Sequence, residues 1–174
     1  MNLVMSVEQN TQLSDLLERF RRGAELFAMA TTGAAGPVLD FKTEGHTWSV
    51  RQNACHLADA EVVATMRFRQ ILAEENPTLQ YFDDAAWVEK LDYNKRKLSV
   101  ALETFRRLRS DNYELLKELP EAAFGRVGTH SKDGEMSLRA VVEWFTAHLE
   151  DHVREIQAVR AAYKEFRAKE LAAQ

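Results

Sequence analysis

His148 and His152 stand four residues apart in a stretch that reads as the longest helix of the chain. At that spacing two side chains share one face, with β-carbons roughly 5–6 Å apart. Both imidazoles can then reach a single metal ion at about 2.0–2.1 Å. His152 takes a place in the apolar stripe of that helix, and His148 lies on the adjoining row with Val141 and Phe145. Both rings therefore point into the interior of a bundle or at its edge. Two readings stay open: each ring is a hydrogen-bonded core residue, or the pair shares a cation that satisfies both buried rings.

A third ligand must come from elsewhere, and His56 is the candidate, on a helix face with Ala60, Val63 and Arg67. His46 and His130 read as solvated loop residues. Cys55 is turned about 100° from His56 around the helix, so it reads as a small buried apolar residue rather than a ligand. A zincin helix needs His-Glu-x-x-His, whereas this one runs His148-Leu149-Glu150-Asp151-His152. A di-iron bundle needs Glu-x-x-His, and no histidine here has an acidic residue three places before it. Both chemistries are excluded.

Helix spacing also nominates residues around the ligands. Asp59, three after His56, and Glu155, three after His152, are placed to hold an imidazole N–H or to act as a base. Each is equally readable as a surface carboxylate. Arg67 stands where a guanidinium could clamp an anionic substrate, although an ion pair with a neighbouring helix is the plainer expectation. Trp144, four before His148, could wall a pocket; tryptophan at helical spacing usually belongs to the core. The basic runs at Arg19 to Arg22, Lys95 to Lys97 and Arg106 to Arg109 read as solvated helix surface.

The elements that must position these groups are nearly all helical. Ser6-Val7-Glu8-Gln9 has the form of a capping box ahead of an apolar stripe of Leu13, Leu17, Phe20, Ala24 and Phe27. The glycines and proline at 33–37 end that helix and open a linker from Val38 to His46. Ser49-Val50-Arg51-Gln52 repeats the box and starts a second helix running to about Glu75. A short helix follows over 83–91, capped by Asp83. A third long helix covers 93–119, with Leu98, Leu102, Phe105, Leu108, Leu115 and Leu119 inward, and Pro120 stops it. Residues 121–136 read as a long loop. The last helix spans 137–169 with Leu138, Val142, Phe145, Leu149, His152, Ile156 and Val159 in 4-3 order. The sum is roughly 69% helix, against about one third in ordinary globular chains. The expected fold is all-α: a four-helix bundle with a short extra helix between helices 2 and 3, forming one domain over 1–174.

Composition narrows the function. The chain has 174 residues and a formal net charge of −4, which disfavours nucleic-acid binding, since phosphate neutralisation needs a basic face. Its apolar runs are short and its start lacks a basic leader, so no membrane span or signal peptide is expected. One cysteine allows no internal disulfide and fits a reducing, cytoplasmic home.

One block of sequence runs Thr47-Trp48-Ser49-Val50-Arg51-Gln52, Cys55-His56-Leu57-Ala58-Asp59, Met66-Arg67-Phe68-Arg69 and Glu74-Glu75-Asn76-Pro77-Thr78, with Asp83 and Trp87. A second runs from Ser137-Leu138 through Trp144 to His148 and His152. Together these resemble the DinB-like family, the DinB/YfiT group of metal-dependent enzymes. The resemblance implies a four-helix bundle, a homodimer, and one divalent metal ion, nickel or zinc, held by His56, His148 and His152. It further implies a small-molecule substrate, with either transfer involving a low-molecular-weight thiol or hydrolysis. The alternative is a non-catalytic metal-binding or stress-related helical-bundle protein. Many relatives carry an extra histidine beside the late pair, where this chain has Glu150 and Asp151.

Overall fold

The computed structural model describes residues 2–43, 45 and 48–173, with backbone alone for 2–11. Among these residues lie five α-helices, which with three short 3₁₀ segments make 74% of the chain helical: α1 (Asn2–Thr31), α2 (Val50–Ala73), α3 (Asp84–Lys90), α4 (Leu98–Lys117) and α5 (Leu138–Ala172). No helix of the described residues is long and apolar enough to cross a membrane. His46 and Thr47 lie outside the described residues.

Side-chain contacts fix both the order and the direction of the long helices. Arg19 of α1 pairs with Glu150 of α5, and Arg160 further along α5 reaches the Ala30 carbonyl, so these two helices run parallel. Glu61 meets Arg109 and Arg69 meets Asp111, which makes α2 and α4 parallel as well. Phe20 and Phe27 of α1 touch Arg109 and Phe105 of α4 in descending order, and Asn53 and His56 of α2 face His152 and His148 of α5 in the same sense. The bundle therefore runs up, down, down, up. α1 and α2 pack against both α4 and α5 and sit at opposite corners.

Parallel neighbours need a crossover, and α2 and α4 receive theirs from 74–97. That segment holds a two-residue strand β1 (Thr78–Leu79) and α3, whose N-cap Asp83 accepts the Ala86 N–H at 3.0 Å. The expected long loop before α5 is instead a 3₁₀ turn (Glu121–Gly125) followed by a hairpin of β2 (Val127–His130) and β3 (Gly134–Ser137). β1 pairs parallel to β2, giving a three-stranded sheet. Gly128 permits that sheet to lie on α2: a β-carbon there would stand 3.0 Å from the Leu79 side chain and 3.2 Å from Ile71.

Two further expectations are corrected. The first helix begins at Asn2, so Ser6 lies inside it rather than at its start. The inner row of α4 is Ala101, Phe105, Arg109, Asn112 and Leu116, not the leucine row that includes Leu108 and Leu115. Arg109 is therefore no surface cation. It is 2% exposed, donates to Glu61 at 2.6 Å and to the Phe20 carbonyl at 3.1 Å, and lies over the Phe20 and Phe105 rings. Asn112 donates to the other Glu61 oxygen at 2.8 Å. The buried carboxylate on α2 turns the polar side of α4 inward, because a buried charge needs an opposite charge and hydrogen bonds.

Candidate metal centre

The first turn of α2 sets the candidate site in order, holding His56 on its own helix and meeting His152 of α5. Ser49 accepts the Gln52 N–H while the Gln52 side chain accepts the Ser49 N–H at 3.0 Å, the reciprocal cap that the sequence encodes. One residue on, the Asn53 amide donates to the Ser49 carbonyl at 3.1 Å and the Trp48 carbonyl at 3.3 Å. These donors leave its Oδ1 facing α5, where it stands 2.7 Å from His152 Nδ1. His152 Nδ1 therefore carries the proton and donates it, which leaves Nε2 as the free acceptor. Glu155 also approaches the same Nδ1, at 3.4 Å.

His56 and His148 meet Nε2 to Nε2 at 3.0 Å. One ring nitrogen from each of His56, His148 and His152 falls in a group no wider than 4.8 Å, and no fourth His, Cys, Asp or Glu joins it among the described residues. Trp48 stacks on His152 with planes 8° apart, and Trp144 stacks on His148 at 4.5 Å. Burial pushes the His56 imidazole down to about 2, helped by the two neighbouring histidines. Burial likewise lowers His148 to about 3, with His152 and Arg109 adding to it. His152 is lowered by burial, against the fields of Glu155, Asp84 and Asp151. Three rings whose charged form is disfavoured, with one nitrogen of each converging, are a donor set that a borderline divalent ion takes.

The other nominated residues separate. Asp59 faces away from the triad: it accepts from the Tyr93 hydroxyl at 2.7 Å and from Arg96 at 2.6 Å, tying α2 to the turn before α4. Its expected role beside His56 is thus corrected, because a buried tyrosine and a cation on that side claim the carboxylate. Among the described residues Arg67 forms no ion pair with a neighbouring helix; it bonds the Gln80 carbonyl and His130. His130 is no solvated loop residue but a 5% exposed member of β2. Trp144 is 42% exposed rather than core. Together with Arg67, Phe82, Asp84, His130 and Asp133, it lines a cavity of about 400 Å³ beside the triad. Cys55 is buried with its Sγ toward the Tyr93 carbonyl, and burial pushes its thiol up to about 11. Asn53 was missed from sequence; its only signal was its place one residue past a capping box.

Comparison with known proteins agrees with this geometry. The chain is 28% identical over 121 residues to a protein of Oceanobacillus iheyensis named "Putative metal-dependent hydrolase", spanning 70% of each. It is 28% identical over 113 residues to one of Bacillus mycoides with the same name, spanning 65% of each. The fold matches YfiT from Bacillus subtilis with a TM-score of 0.81 at 24% identity over 87% of both chains; that protein is described as "a probable metal-dependent hydrolase with an unusual four-helix bundle topology". The model of the DinB superfamily matches residues 19–156, the stretch that carries the bundle and all three histidines, and the chain belongs to that superfamily.

Proposed function

We propose that this protein is a metal-dependent hydrolase of a small molecule, with one nickel or zinc ion held by His56, His148 and His152. The observation that carries the reading is the convergence of three imidazole nitrogens with no fourth His, Cys, Asp or Glu beside them among the described residues. Three-ligand sites are catalytic, because four protein ligands would close a structural one. A divalent ion bound there supplies a Lewis acid that lowers the pKa of water or of a thiol. The chain's own residues do the rest. Asn53 and Glu155 hold the His152 proton at Nδ1, Trp48 and Trp144 cover two of the rings, and the cavity beside them admits a small molecule.

Thiol transfer is the second reading, and the placement of Cys55 defines it. That thiol is fully buried and bonded away from the triad, so any attacking thiol comes with a cosubstrate. Metal analysis of the purified protein and of His148→Ala, followed by assays of ester, amide and thiol-plus-electrophile panels on metal-loaded protein, tests both. Stoichiometric nickel or zinc in wild type alone, with turnover of esters or amides, is the expected result. Turnover only with an added thiol selects the second reading, and absence of bound metal overturns both.

A further inference from the structure

The cavity beside the triad holds a buried cation in no ion pair among the described residues. Arg67 is 5% exposed, and no acidic side chain among the described residues forms an ion pair with it. Both of its hydrogen bonds leave from Nη2, to the Gln80 carbonyl at 2.9 Å and to His130 Nε2 at 3.0 Å. Its Nε is buried without a partner. The guanidinium lies over the Phe82 and Phe145 rings at 5.8 and 5.6 Å. Arginine has donors only and keeps its charge, so His130 Nε2 must be the acceptor. At the other ring nitrogen, Nδ1, His130 meets the Asp133 backbone N–H at 3.1 Å and the Asp133 carboxylate at 2.8 Å. A buried cation without a direct ion-pair partner is costly, and a planar guanidinium at a cavity wall is matched to an incoming oxyanion.

We propose that this cavity is the subsite for a monocarboxylate, with the carboxylate on Arg67 and an apolar body between Phe82 and Trp144. The proposal deepens the metal-centre reading, on which only the reacting end of the substrate depends. Phe82 and Trp144 also border the triad, at 6.3 Å from His56 and 4.5 Å from His148 between ring centres, so a ligand seated between them reaches it. Two carboxylates on the same wall set the charge of the ligand. Asp133 is engaged by His130, and Asp84 is half-buried without an ion-pair partner among the described residues. Both carboxylates repel an incoming anion, and they repel a dianion twice as strongly as a monoanion, which favours a carboxylate on Arg67 over a phosphate dianion.

Calorimetric titration of the full chain with benzoate, benzamide and phenyl phosphate tests this, both zinc-loaded and stripped by chelator. Benzoate should bind about tenfold or more tighter than either competitor in both metal states, the value of a hydrogen bond to a charged group. Arg67→Met should remove that preference while zinc content stays at the wild-type level. If that variant does not fold, Arg67→Lys and His130→Gln should each reduce the preference. Equal binding of benzoate and benzamide, tighter phenyl phosphate, or a preference that survives Arg67→Met overturns the proposal. Benzoate binding by a protein that takes up no zinc would sink the metal centre and leave this subsite standing; zinc-loaded protein indifferent to benzoate would do the reverse.

Discussion

Asn53 Oδ1 stands 2.7 Å from His152 Nδ1, and the orientation of that amide is fixed from behind by two backbone carbonyls of the α2 cap. A local feature of helix initiation thus decides which nitrogen of a histidine on another helix is free. Partners of this kind orient a ligand ring and tune its basicity.

Replacing Asn53 should therefore weaken metal binding without touching a ligand. Asn53→Leu removes the acceptor, and its zinc affinity should fall by about 10–100-fold, the usual cost of losing such a partner. Asn53→Asp keeps an oxygen in place and should retain most of the affinity. Competition titration against a chromogenic chelator measures both. Equal affinities for wild type and Asn53→Leu would remove Asn53 from the centre.

Metal should also stabilise the fold. An ion that binds only the native state at a hundred times its dissociation constant adds about 2.7 kcal/mol. Thermal melts with added zinc or nickel should rise in wild type and stay flat in His56→Ala and His148→Ala. A rise of equal size in these variants would place the ion elsewhere.

The Glu61–Arg109 pair makes a sharper mutational contrast. Both side chains are nine-tenths buried or more, and they join at 2.6 Å. Arg109→Met leaves Glu61 with only Asn112 and should cost about 3–5 kcal/mol, as removal of one partner of a buried pair does. The double variant Glu61→Leu/Arg109→Met should recover much of that loss, because no unpaired charge remains. Urea midpoints of the three proteins give the comparison; additive losses would contradict it.

Gly23 lets α1 approach α5. A β-carbon there would lie 2.3 Å from Leu149 Cδ2 and 3.0 Å from Arg109 Nη1. Overpacking of this kind costs about 1–3 kcal/mol, against a gain of up to about 1 kcal/mol in helix propensity. Gly23→Ala should be destabilised, and Gly23→Ala/Leu149→Ala should be less sensitive to the added methyl than the Leu149→Ala background predicts from additivity. Leu149 adjoins His148, so zinc affinity should weaken in Gly23→Ala as well.

Alkali should test the packing around Cys55. Its native pKa stands at about 11 against an ordinary 9.0, because burial disfavours the thiolate. Between those values the folded chain keeps a proton that the unfolded chain releases, so stability falls as pH rises through that window. Urea midpoints should drop between pH 8.5 and pH 11 in wild type, and drop less in Cys55→Ala. Below pH 8 the native thiol should resist iodoacetamide, since a buried thiol with a raised pKa is a poor nucleophile.

Much of this was legible in the sequence. The caps at Ser49 and Asp83 and the 4-3 stripe of α5 are local signals, and each helix formed where they placed it. The three histidines were legible too, because register puts them inward and the helix spacing is rigid. What escaped depends on partners far along the chain. β1 and β2 are two and four residues long, too short to show alternation, and they exist because 78–79 and 127–130 meet across the bundle end. Arg109 and Asn112 read as surface beside Leu108 and Leu115; only the presence of Glu61 on α2 turns them inward. Arg67 was given the wrong neighbour and Asp59 the wrong side, since spacing along a helix says nothing of the Tyr93 and Arg96 side chains that claim Asp59 or the Gln80 carbonyl and His130 that meet Arg67. Trp144 lies on the ligand face at its open margin, where a cavity rather than the core meets it.

The three rings stand on α2 and α5, whereas Gln80 to Asp84 and His130 to Asp133, on the connections between helices, shape the cavity beside them. Arg67 and Trp144 share those helices, so the connections supply the remaining wall of the cavity and only part of what would choose the molecule. Exchanging residues 78–84 and 127–136 between members of this superfamily should alter ligand selectivity while leaving ion binding in place.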